Sequence, residues 1–91
     1  MSNYVRLVAC RHDGNDKPYL FEAPADSYIE DGTEVLVETR RGNQRATVIG
    51  SQFAEVGSDM YNFLLEVSGA KLPLKHVLGK FTFTEYKYKE A

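Results

Sequence analysis

The chain has 91 residues, 43% apolar and 26% charged, with a formal net charge of -2 and an isoelectric point near 5.6. That length supports one domain with a core of roughly five or six short strands, and leaves little room for a deep substrate cleft. A slightly acidic chain has no global field drawing it to nucleic acid, so any such contact needs a local basic patch.

Cys10 is the single cysteine, which excludes an internal disulfide and a zinc knuckle and suits a reducing cytosol. The opening Met1-Ser2-Asn3-Tyr4-Val5-Arg6 lacks a basic region followed by a long apolar run, and no window approaches the ~18 apolar residues of a membrane span. The expectation is a cytoplasmic protein without membrane contact.

Tyr4 to Cys10 reads as a strand with Val5, Leu7 and Ala9 facing inward. Asp13-Gly14 supplies a turn, and Tyr19 to Ala23 returns with Tyr19, Phe21 and Ala23 on one face. Pro24 to Ser27 breaks the pattern before a second turn at Asp31-Gly32. Thr33 to Thr39 then alternates, with Val35 and Val37 opposite Glu34, Leu36 and Glu38. Arg40-Arg41-Gly42-Asn43 forms a hairpin tip, Gln44 to Ile49 returns, and Gly50 ends that strand. The regular spacing predicts a meander curling into a barrel.

Beyond Gly50 the period changes. Met60, Phe63, Leu64 and Val67 recur at helical spacing, with Ser58 or Asp59 as cap and Gly69 as terminator. Leu72 to Gly79 is compatible with a further helical turn, with Pro73 near its first position. Lys80 to Lys89 closes the chain as a strand whose alternation slips near Thr84-Glu85. The predicted order is ββββ-α-(α)-β over residues 1–91: a mostly β (α+β) single domain, a small SH3-like or related β-barrel.

Lys17-Pro18-Tyr19-Leu20-Phe21, the run Ile29 to Gly42 ending Val37-Glu38-Thr39-Arg40-Arg41-Gly42, and Ala46-Thr47-Val48-Ile49-Gly50 together carry a resemblance. In this layout residues 4–50 resemble the opening of the bacterial polymerase-suppressor domain family, which includes regulators of RNA processing and competence. The layout is more distantly similar to the N-terminal DNA-end-binding barrel of the primosomal replication helicase. Residues 51–91 do not follow the family's second half, a departure consistent with a shortened or mobile-element relative. The resemblance implies a small barrel and a nucleic-acid or nucleoprotein partner.

Arg40, Arg41 and Arg45 bracket the hairpin turn, where guanidinium forks can hold phosphates. The plainer alternative is a solvated tip with Glu34 and Glu38 neutralising the arginines. In the last strand Lys87 and Lys89 alternate with Tyr86 and Tyr88, a pattern suited to stacked bases and phosphates, to a protein interface, or to a protected edge strand. Met60, Tyr61, Leu64 and Leu65 give the helix an apolar surface wider than one face, enough to plug the barrel and also to meet a second subunit.

His12, Asp13 and Asp16 match no metal-loop template, and turn geometry accounts for them. His76 shows no acidic partner in the sequence. Cys10 and His12 lack an orienting group and an oxyanion donor. The sequence therefore points to a non-catalytic binding module, without cofactor, metal or small-molecule substrate. Nucleic acid is the first-choice partner. The alternative is a protein-interaction or assembly module, of phage or mobile-element type, acting as an oligomer.

Overall fold

A computed structural model describes residues 3–80 apart from Asp13 and Asp16. Strands β1 (Tyr4–His12), β2 (Pro18–Pro24), β3 (Glu34–Thr39) and β4 (Gly42–Glu55) precede one helix, α1 (Asp59–Ser68), and a fifth strand, β5 (Val77–Lys80). All strand pairings are antiparallel and build one sheet in the order β2-β1-β4-β3-β5. The mostly β architecture with a helix before the last strand is as expected.

The meander is not. β2 does not pair with β3, because β4 lies between β3 and β1. β4 is 14 residues long and does not stop at Gly50, which pairs with Ala9 in mid-strand. Its first part pairs with β3 and its later part with β1, an arrangement that a strand ending at residue 49 would not allow. The sheet is also not closed. Its two ends meet through a single parallel bridge, Glu22 to His76, rather than a ladder.

The register of β1 against β4 explains how both faces of the sheet become buried. Ala9 faces Gly50 while Cys10 faces Val48, so Ile49 is an extra, bulged residue. A bulge reverses the alternation beyond it. Ala46 and Val48 therefore enter one cluster and Ala54 the other, although all three are even-numbered.

The first cluster joins Val8, Cys10, Phe21, Ala23, Val35, Val37, Ala46 and Val48 with Ile29 from the β2–β3 connection. Among the described residues no helical side chain belongs to it, and the sheet bends over this face far enough for residues 75–76 to bond both β2 and β3. The second cluster is Leu7, Ala54, Tyr61 and Leu74, with Val5, Leu20, Leu64 and Leu65 packed around it. The inward set expected for β1, Val5, Leu7 and Ala9, is thus half of the answer. Leu7 belongs to the helix side and Val8 and Cys10 to the curled side, because β1 is central and covered on both faces.

Ser58 caps α1, its hydroxyl accepting from the Tyr61 N–H at 3.2 Å, and Gly69 ends it at φ +70°. The helix faces the other way from its apolar stripe. Tyr61 is buried and Leu64 and Leu65 are half-buried, whereas Met60, Phe63 and Val67 are exposed. The large Tyr61 ring with two leucines at i+3 and i+4 fills the space over Leu7 and Ala54 better than the Met60–Val67 row can.

No second helical turn forms over residues 72–79. Leu72-Pro73 is a cis peptide, and Val77 to Lys80 pair with β3 instead, Val77 opposite Val37 and Lys80 opposite Val35. β-branched Val77 packs on the first cluster, and β3 offers free edge groups to the segment that reaches it. The expected strand Lys80 to Lys89 begins earlier than predicted. From residue 81 onward it lies outside the described residues.

Candidate functional site

The short stretch Lys75-His76 organises one end of the molecule. The Lys75 carbonyl accepts from the Glu22 N–H on β2, and the His76 carbonyl accepts from the Glu38 N–H on β3, each at 2.9 Å. The His76 ring repeats this bridge in side chains. Its Nε2 lies 3.5 Å from Glu22 and its Nδ1 3.5 Å from Glu38. These two acids are far apart in sequence, so the partners of His76 were invisible before the sheet curled. Glu38 thus meets His76 from the end of β3.

The hairpin between β3 and β4 is tight, with Thr39 paired to Gly42 across Arg40 and Arg41. The Thr39 hydroxyl accepts from the Arg41 N–H at 3.1 Å and donates to the Gly42 carbonyl. Gly42 sits at φ +99°, a conformation that a side chain disfavours and that lets the chain rejoin the ladder.

This geometry separates the three arginines. Arg40 faces a concavity; Arg41 sits exposed in the turn outside its lining. Arg45 lies opposite Leu36, on the face away from Val35 and Val37, with its Nε 3.6 Å from Glu34. The expected pairing of Glu34 with a hairpin arginine is therefore present, and convergence of all three arginines is not. Lys87, Lys89, Tyr86 and Tyr88 lie outside the described residues.

The concavity measures about 440 Å³ and lies between the β1–β2 turn, the hairpin and the segment following α1. Among the described residues four cations line it, Lys17, Arg40, Lys71 and Lys75, against one carboxylate, Glu38. Arg40, Lys71 and Lys75 have no ion-pair partner among the described residues.

One wall is aromatic. Tyr19 is 40% exposed, its ring 5.5 Å from that of His12 and 5.4 Å below the Lys17 ammonium. His12 also meets Phe21 edge-on at 6.0 Å, so its ring serves packing here. Asp13 and Asp16, its companions in the turn, lie outside the described residues. Sequence reading found Arg40 but missed Lys17, Tyr19, Lys71 and Lys75 as a set. Three separate segments supply them, and no local pattern announces such a union.

Two further surfaces stand apart. Tyr4 and Phe53 stack at 5.0 Å and 13°, with the Arg6 guanidinium 6.0 Å from the Phe53 ring, at the opposite end of β1. A second concavity of about 430 Å³ is lined mainly by apolar groups, among them Ile29, Val77 and Leu78.

Cys10 is fully buried, and burial pushes its thiol up to about 12, so it carries no thiolate for chemistry near neutral pH. Burial and, secondarily, the nearby Glu22 carboxylate push the Tyr61 phenol up as well. No helix among the described residues is long and apolar enough to cross a membrane. No protein-family model matches the chain, and neither curated proteins nor solved structures give a match.

Proposed function

We propose that this chain is a non-catalytic binding module that holds nucleic acid by its phosphates at the groove between Lys17, Arg40, Lys71 and Lys75. The observation carrying this reading is local charge. Among the described residues the groove gathers four basic side chains, Lys17, Arg40, Lys71 and Lys75, and one acidic one, Glu38. In a chain with net charge -2, such a gathering sets up the patch that the overall composition lacks. Unpaired ammonium and guanidinium groups around a concavity gain more from a polyanion than cations already neutralised by neighbours.

The resemblance supports the same reading, since Glu38, Thr39 and Arg40 of its most distinctive run line the groove. The curled sheet, brought end to end at Glu22 and His76, supports a small SH3-like barrel as the scaffold.

The test is fluorescence anisotropy with a labelled oligonucleotide across a salt series. Four phosphate contacts give a slope of log affinity against log salt of about -3. Replacing Arg40, Lys71 and Lys75 together by Ala flattens that slope to about -1, whereas Arg41→Ala leaves it nearly unchanged. A slope unaffected by the triple replacement contradicts the reading.

One observation favours a second reading, an assembly module. Met60, Phe63 and Val67 form an exposed apolar row on the outer side of α1. Such a row costs solubility unless another surface covers it.

A further inference from the structure

We infer that the groove takes a single strand, with one base stacked against Tyr19 and the flanking phosphates held by Lys17, Arg40, Lys71 and Lys75. This rests on the nucleic-acid reading above and narrows it from a phosphate contact to a class of substrate.

The shape of the site decides against a duplex. In a duplex the bases are stacked inside and paired, so none of them can be lowered into a concavity, and only the outer phosphates could meet the cations. Here the cations surround a hollow of about 440 Å³, within the range of clefts that enclose a small organic group. A single strand can lower one unstacked base into such a hollow while its backbone stays at the rim.

The lining fits a base better than a phosphate alone. Phosphate needs donors, whereas Tyr19, Leu72 and Pro73 offer aromatic and aliphatic surface among the cations that line the concavity. Tyr19 is 40% exposed and so can be reached, and the Lys17 ammonium already lies over one face of its ring at 5.4 Å. A base would take that place, and the ammonium, on its flexible stem, would move to the adjoining phosphate. Aromatic faces stack on every base, so the site discriminates strandedness and tolerates sequence.

The experiment compares three probes on the full chain: a labelled oligodeoxythymidylate of about twelve nucleotides, a duplex of the same length, and inorganic polyphosphate as competitor. The single strand is expected to bind at least about tenfold more tightly than the duplex. Tyr19→Leu weakens the single strand about tenfold, Tyr19→Phe restores it, and polyphosphate binding is the same in all three proteins. In the unaltered protein, photocrosslinking with an iododeoxyuridine strand places an adduct on Tyr19, so the result does not depend on the variants folding.

Equal affinity for strand and duplex, or crosslinks confined to other residues, overturns the single-strand inference and leaves phosphate binding standing. No binding to any of the three polyanions overturns both readings.

Discussion

At the scale of single residues, Cys10 offers the sharpest chemistry to check. It lies in the first cluster, beside the bulge at Ile49, with its thiol pushed up to about 12 by burial. An unfolded cysteine titrates near 8.5. The folded state therefore favours the neutral thiol, and the resulting stability is present below that pH. It is lost progressively as pH rises towards about 12, because the unfolded chain ionises first. Thiol-labelling reagents at pH 8 should react slowly with the native protein and at the free-thiol rate in denaturant. Thermal melts between pH 8 and 11 should fall more steeply for the parent than for Cys10→Ala. Fast native labelling would contradict the burial.

The same residue shows what alternation can and cannot reveal. Val35 and Val37 were legible as core because the other side of β3 carries Glu34 and Glu38 beside Leu36, and both valines are fully buried. β1 is apolar on both sides, so parity alone could not tell Val8 and Cys10 from Leu7. Only the position of β1 in mid-sheet settles that both sets are core.

At the scale of elements, α1 combines a readable boundary with an unreadable orientation. Ser58 and Gly69 mark its ends through local chemistry, which sequence displays. Its facing depends on which side chains best fill the space over Leu7 and Ala54, which sequence does not display. The consequence is testable. Phe63→Glu on the outer row should change stability by no more than about 0.5 kcal/mol, since the residue is already in water. Tyr61→Ala should cost about 3–5 kcal/mol by opening a cavity under the helix. Light scattering on the Phe63 variant also judges the assembly reading: an oligomer in the parent that dissociates on adding this charge supports it. Leu64 is unsuited to that test, because it packs on the sheet.

At the scale of the whole molecule, the two ends of the open sheet meet at two residues. β2 and β5 would otherwise be open edges, each with unpaired backbone groups. Lys75 and His76 take the Glu22 and Glu38 N–H groups in turn, so one stretch of chain ties both ends of the sheet and also places Lys75 in the groove. The ties are mainly backbone. The two His76–carboxylate contacts are partly exposed, and His76→Ala should therefore cost no more than about 1 kcal/mol.

Hydrogen exchange distinguishes this arrangement from two free edges. The Glu22 and Glu38 amides should exchange slowly and lose protection together, because a single displacement of residues 75–76 exposes both. They should remain protected in His76→Ala, where the carbonyl acceptors persist. If Glu22 instead exchanged as fast as an unpaired edge amide while Glu38 stayed protected, the sheet would be open on the β2 side. The Lys75 and Lys17 walls of the groove would then move independently, and the groove would lose its fixed spacing of cations. The spacing of the groove's cations and the meeting of the sheet's two ends thus rest on the same four backbone groups.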